Sequence, residues 1–318
     1  MNNPILSIII VSFNTAKLTL DCIRSIIADK GLKDIPYEII VVDNDSKDDS
    51  VLKIKNFKIK NSLKIKNLKF KIICNSINAG FGTANNQGVA IAKGNYILLL
   101  NSDTIILHSA ISQSLNWLSA HPEACACTAQ LLNKDKTIQA SGGYFPNLLN
   151  VFAWSSGLDD LPFVNKIIKA FHPHTPAFYT KDNFFLKDHQ QDWITGAFFL
   201  TRKNLYDKVK GFDENYFMYG EEVELCYRLK KNTKNNQIWY LIGPQIIHLG
   251  GASAVSRFNP IFNEYQGVIS FFKKHKAFYQ TFLVKYILKI NAFLRSIFYY
   301  LINKKETASF YKQACQKI

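Results

Sequence analysis

The sequence predicts an α/β protein, a mostly parallel sheet flanked by helices, followed by a helical extension rich in basic and aromatic residues. Three observations carry this reading. Short apolar runs alternate with amphipathic stretches through the first hundred residues, and such alternation builds βαβ units with right-handed crossovers. Three of those runs stop at polar clusters, Ser12-Phe13-Asn14, Asp43-Asn44-Asp45 and Asn101-Ser102-Asp103. Beyond Gln266, lysine and arginine interleave with phenylalanine and tyrosine on stretches that read as helices.

Taken in order, residues 5–13 read as a strand buried on both faces, Asn14-Thr15 as a helix start, and 16–28 as a helix with Leu18, Cys22, Ile23, Ile26 and Ile27 on one face. Residues 37–42 and 70–75 give two more strands. Residues 84–92 give a helix with Asn85 or Asn86 as a candidate cap, and 96–100 a fourth strand. Cys125-Ala126-Cys127 fits a strand or a loop. From about 142 to 192 the chain is rich in Phe, Tyr, Pro and His with weak periodicity, so loops and short helices over the sheet are expected. Strand signals return at 193–201 and 238–247. The acidic segment between them should turn helical at Glu221, where acids favour a helix N-terminus.

The 318 residues, 47% of them hydrophobic, support a sizeable core. The six cysteines lack zinc-type spacing and no signal-peptide pattern opens the chain, so free thiols in a reducing cytoplasm are expected. The formal charge of +15 is unevenly spread. Eight lysines fall between Lys53 and Lys71 without an intervening acid, and a second basic concentration runs from Lys273 to Lys317. The first reads as a solvated surface connection, a helix and a ragged strand entry. Neither comes with a helix-turn-helix, RNP or zinc-finger pattern, so nucleic acid is not expected.

Carboxyl ends of parallel strands are where open α/β sheets bind ligands. There, Asp103 has the chemistry to hold a divalent cation against a diphosphate. Eight motifs occur in sequence order: Ile8-Ile9-Ile10-Val11-Ser12-Phe13-Asn14, Val41-Val42-Asp43-Asn44, Asn78-Ala79-Gly80-Phe81-Gly82, Asn85-Asn86-Gln87-Gly88, Asn101-Ser102-Asp103, Gly211-Phe212-Asp213-Glu214, Glu221-Glu222 and His248-Leu249-Gly250-Gly251. Together they make residues 6–253 resemble a family 2 glycosyltransferase of GT-A, Rossmann-like fold, and within it the bacterial rhamnosyltransferase-like subset.

The resemblance implies a set of roles. Ser12, Asn14, Asp43, Asn78, Gly80, Phe81, Asn86 and Ser102 would surround a nucleoside-diphosphate sugar, with dTDP-rhamnose favoured over a UDP-sugar. Asp103 would hold Mg²⁺ or Mn²⁺. Asn101 replaces the first acid of the family's looser DxD, so His248 is the candidate second ligand. Glu222, where relatives often carry Asp, is the expected base for an inverting transfer, with Glu221 the alternative. Trp193, Gly196, Asp213 and Glu214 would lie toward the sugar or the acceptor, a glycan or lipid-linked glycan. The expected division is a catalytic domain over 1–262 and an amphipathic extension over 263–318. No uncharged stretch of that tail reaches the roughly 18–20 residues of a membrane span. A membrane-surface contact, peripheral on the inner face of the cell membrane, competes there with packing on the catalytic domain or on a second subunit of a homo-oligomer. Two rivals stand beside the enzyme reading. A nucleotidyltransferase would need a Gly-rich basic loop where Ser12-Phe13-Asn14-Thr15 stands. A non-catalytic module would use the basic regions to grip nucleic acid or anionic lipid.

Overall fold

Runs of Ile, Val and Leu favour strands covered on both faces, and such runs build the sheet centre. In the computed structural model, β1 (Leu6–Ser12), β2 (Tyr37–Asp43), β3 (Lys69–Cys74) and β4 (Tyr96–Asn101) form a parallel half-sheet in the order β3-β2-β1-β4. Helices α1 (Ala16–Ile27), α2 (Ser50–Ser62) and α3 (Phe81–Ala90) connect them. Ile8 pairs with Ile39 on one side and Leu98 on the other. This register brings Ser12, Asp43 and Asn101 to one edge. The structure describes residues 4–62, 69–161, 164–171, 184–232, 234, 236–250 and 260–318. Lys64 and Lys66 of the lysine-rich stretch, much of the aromatic stretch after 171, and the 251–253 end of the resemblance lie outside these residues.

The chain continues through β5 (Thr104–Leu107), α4 (Ala110–Ala120), β6 (Ala124–Leu132), β7 (Ile138–Gln139), α5 (Leu148–Ser156), α6 (Val164–Ile167), β8 (His189–Gln191), β9 (Phe198–Arg202) and α7 (Lys203–Lys208). It ends with α8 (Glu221–Asn232), β10 (Gln237–His248), α9 (Pro260–His275), α10 (Phe278–Leu301) and α11 (Lys305–Lys317). Among the described residues the sheet has ten strands, with β9 antiparallel to β4 and to β6, β10 parallel to β6, and β5 antiparallel to β10. The second half is therefore mixed, whereas the first is wholly parallel. Alternate strand residues feed two cores. Ile9, Ile40, Val42 and Leu99 join Trp154, Phe271 and Leu288 on one face. Ile8, Ile10, Ile39 and Leu98 meet Ile23, Ile54 and Leu115 on the other.

Several expectations shift. The expected strand from Trp193 starts only at Phe198, because Trp193 makes a single bridge to Gly143 and the chain turns before the ladder. Helix α3 begins at Phe81 with Gly80 as its N-cap, so Asn85 and Asn86 are interior residues and not caps. The expected division at 262/263 falls inside α9, whose Val268, Phe271 and Phe272 are buried in the same core as Trp193. Among the described residues no helix is long and apolar enough to cross a membrane.

Candidate active site

The Asn101-Ser102-Asp103 corner joins β4 to β5, and the antiparallel register of β5 with β10 sets His248 opposite Thr104. Leu249 N–H donates to the Asp103 carbonyl at 3.0 Å, extending the ladder by one rung. The result is an Asp103 Oδ1 to His248 Nε2 distance of 3.4 Å between groups 145 positions apart in sequence (248 − 103). The imidazole is oriented from behind. Gln139 on β7 donates through Nε2 to Asn133 Oδ1 and to the His248 carbonyl, which fixes its amide. Its Oε1, an acceptor, lies 2.6 Å from His248 Nδ1, so Nδ1 carries the hydrogen. With Nδ1 so engaged, Nε2 faces a carboxylate oxygen and lies 3.2 Å from Asn101 Nδ2, and without a proton it would turn a bare lone pair to that carboxylate. Two lone-pair atoms facing each other need a proton or a cation between them. Burial alone would raise the Asp103 carboxyl, but with a proton on Nε2 the hydrogen bond and charge of His248 outweigh it and hold it below the usual range.

The same cleft, of about 240 Å³, is also lined by Glu221 and Glu222. They open α8, which carries three acids in its first turn and Lys230 and Lys231 in its last, the charge order that suits a helix dipole. Glu221 is buried, and among the described residues its Oε2 has no hydrogen-bond partner. Burial, then the charge of Glu222, drives its carboxyl well up. Glu222 is also pushed up by burial, against a 3.1 Å hydrogen bond that its Oε1 accepts from Gly196 N–H. The turn before them holds Tyr219 and Gly220 in left-handed backbone, at φ 71° and 94°. Gly267 of α9 presses on this turn so closely that a Cβ there would collide with the Tyr219 carbonyl.

Asn44 organises the rim of the cleft. Its Nδ2 donates to Asn78 Oδ1 and the Gly80 carbonyl, and its Oδ1 accepts from Asn75 Nδ2 and Ala79 N–H. Gly80, at φ 85°, allows that loop to pass Phe217, whose carbonyl would lie 2.5 Å from an added Cβ. Asn78, Phe81 and Ser102 line the cleft.

Other expected donor and acceptor contacts do not line the cleft. Ser12 is buried beneath, in a hydroxyl chain running Thr19–Ser12–Thr15–Ser102. Asn14 pins the β1 and β2 ends together through Ser46 and Lys47. Asn86 spends its amide on Tyr206, Phe212 and Glu214, clamping the turn that leads toward α8. Glu214 is occupied by that clamp, and Asp213 binds Lys274 at 3.0 Å; neither lines the cleft. Asp43 is buried behind the rim, with Oδ1 accepting from Ser46 N–H and Oδ2 without a partner among the described residues.

A second cavity of about 230 Å³ adjoins the cleft, and Asn101, Tyr219, Glu222 and His248 line both. Its far wall is Trp193, Phe171 and the α9 residues Glu264, Gly267, Val268 and Phe271. Trp193 donates from its indole N–H to the Phe171 carbonyl at 3.2 Å. Sequence reasoning missed Gln139, Asn44 as an organiser, and the α9 wall. Asn44 sat visibly within a motif, whereas Gln139 and Glu264 carry no motif at all.

A parallel half-sheet thus ends at a cleft lined by Asp103, His248, the buried Glu221 and the half-buried Glu222. The chain belongs to glycosyl transferase family 2, whose family model matches residues 7–210. It is 28% identical over 217 residues to the rhamnosyltransferase WbbL of Escherichia coli, covering 66% of this chain and 72% of that one. To the N-acetylglucosaminyl-diphospho-decaprenol L-rhamnosyltransferase of Mycobacterium tuberculosis it is 25% identical over 174 residues, 51% of this chain and about half (53%) of that relative. Two solved structures share the fold. GalNAc-T7 with UDP, GalNAc and Mn²⁺ aligns with a TM-score of 0.57 at 16% identity, over 84% of this chain and 48% of that one. The mannosyltransferase PcManGT of Pyrobaculum calidifontis, in complex with GDP-Man and Mn²⁺, gives 0.53 at 13% identity, over 100% and 87%. The fold is thus GT-A.

Proposed function

We propose that the chain is an inverting, metal-assisted glycosyltransferase that moves rhamnose from dTDP-rhamnose to a glycan or lipid-linked glycan. The relatives' names support the sugar and the acceptor class, and a UDP-sugar is the alternative donor. One observation carries the reading: Glu222 lines both the cleft that holds Asp103 and the cavity that adjoins it. A base for this reaction must touch the donor and acceptor sites at once, and Glu221 lines only the first. The acceptor O–H gives its proton to the Glu222 carboxylate as its oxygen bonds to the anomeric carbon. The bond from that carbon to the diphosphate oxygen breaks on the opposite face, and the diphosphate leaves with the electron pair. The Gly196 N–H keeps the carboxylate aimed. Asp43 Oδ2, without a partner among the described residues, supports a hydrogen-bond donor from the nucleoside at the carboxyl end of β2.

The Asp103–His248 pair fits Mg²⁺ or Mn²⁺, because its facing lone pairs call for a positive charge and Gln139 fixes the ring as outer-shell partners of metal-bound histidines do. Such an ion supplies charge stabilisation to the departing diphosphate. The test is transfer from a panel of nucleotide sugars with purified chain. Asp103→Ala and Glu222→Gln should each lower turnover by about 10²–10⁴-fold with unchanged far-UV circular dichroism. Normal turnover in either variant would remove that residue from its role, and the absence of any donor hydrolysis or transfer by the wild type would remove the function.

A further inference from the structure

We propose that the outward face of α10 is a docking surface for an anionic lipid bilayer. On α10 the residues Phe282, Tyr286, Ile290, Phe293, Ile297 and Leu301 recur every three or four positions and so form one stripe. All are exposed, Phe282 by 53%, Ile290 and Phe293 by 55% each, and Leu301 by 76%. The opposite face, with Val284, Leu288 and Ala292, is fully buried in the body of the protein. A surface helix normally turns its apolar stripe inward; this one buries one apolar stripe and presents a second. Exposed apolar surfaces of this extent mark interaction sites.

Charge selects the occupant. No acidic residue occurs between Glu264 and Glu306, while Lys285 and Lys289 are exposed on α10 and Lys304 and Lys305 follow it. Aromatic and aliphatic side chains edged by lysines match an anionic interface, where the rings enter the headgroup boundary and the lysines meet lipid phosphate. A second copy of the chain would bring the same lysines and the same +15 charge to the contact, with no acids to neutralise them. The surface also has a neighbour near the site. Helix α5 is tied to α10 by a 2.7 Å hydrogen bond from Asn291 Nδ2 to Ser155 Oγ, and it exposes Leu149 and Phe152. Pro146, two residues before α5, lines the cavity that adjoins Glu222. On the proposed function, a docked molecule would bring α5 and the Pro146 side of that cavity toward the bilayer that carries a lipid-linked acceptor. The surface stands on the geometry of α10, and a chain that binds bilayers but transfers no sugar would still possess it.

The experiment is flotation of the full chain with vesicles of phosphatidylcholine alone and with about 30% phosphatidylglycerol. The chain should float with the anionic vesicles and not with the neutral ones. Combining Phe282→Gln, Ile290→Gln and Phe293→Gln should weaken binding about tenfold or more, with the thermal melt retained. Lys285→Gln with Lys289→Gln, which leaves the apolar stripe intact, should reduce binding several-fold and flatten its salt dependence. Wild-type chain left unbound by anionic vesicles at low salt would overturn the proposal. So would a dimer in sedimentation that the triple variant makes monomeric without any change in vesicle binding, since the stripe would then be an interface between copies.

Discussion

At the scale of single residues, the two glutamates of α8 combine function with a stability cost. Burial holds both carboxyls above the ordinary glutamate range, and the charge of Glu222 adds to this for Glu221. A carboxyl raised on folding contributes its stability at low pH and loses it as pH rises through the raised titration. Glu222→Gln should therefore raise Tm by a few degrees at neutral pH, and the gain should fade in acid; a melt series across pH checks this. The same titration should appear as a rising limb in the wild-type pH profile of kcat/KM, displaced above the usual glutamate range. At the proposed cation site, Gln139→Leu frees the His248 ring and should raise the Mg²⁺ or Mn²⁺ concentration for half-maximal activity about 10–100-fold. That is measurable by titrating the ion into a fixed assay. That Asp103, Glu221 and Glu222 would meet at one cleft was legible in sequence, because each belongs to a local motif. Gln139 was not, since its importance arises from a two-residue strand that meets His248 only in space.

Among the elements, the join between α8 and α9 is the most heavily charged. Glu224, with its side chain fully buried, takes Arg228 at 2.5 Å, Lys274 at 2.6 Å and His275 at 3.0 Å. Burial alone would raise its carboxyl, but hydrogen bonds from His275, Arg228 and Lys274 outweigh burial and hold it at about 2. A carboxyl lowered on folding stabilises above its unfolded value, and that support is lost as pH falls toward the folded one. Glu224→Gln should destabilise by about 1–3 kcal/mol, because the part-buried Arg228 and His275 lose their charged partner. Denaturant unfolding at neutral pH measures this, and the difference from wild type should shrink toward pH 2. Sequence patterning found β1, β2 and β4 within a residue or two because uninterrupted Ile, Val and Leu mark a strand covered on both faces. It left β6 ambiguous and missed α4 and β5. All nine residues of β6 are buried, yet Ala-Cys-Ala-Cys-Thr-Ala is made of small side chains that give little hydrophobic signal. What buries it is the close approach of its neighbours, which no local window contains.

For the molecule as a whole, the tail is part of the body. Val284, Leu288 and Ala292 of α10 and Tyr311 and Ala314 of α11 share one core with Trp154, Phe199 and Phe272. A chain ending at residue 277 should accordingly melt more than about 10 °C lower and aggregate, as differential scanning fluorimetry and light scattering would record. A free-standing catalytic unit with an independent extension would instead keep its melting temperature. The resemblance made the first half of the molecule readable, but the tail carries no family motif, and its packing had to come from coordinates. One contact gives that packing a mechanical meaning. Where Gly267 meets the carbonyl of Tyr219 and the Cα of Gly220, main chain rests on main chain with no side chain between to yield. Helix α9 thus abuts the turn that opens into Glu221 and Glu222, so even a methyl group added at Gly267 would have to displace that turn.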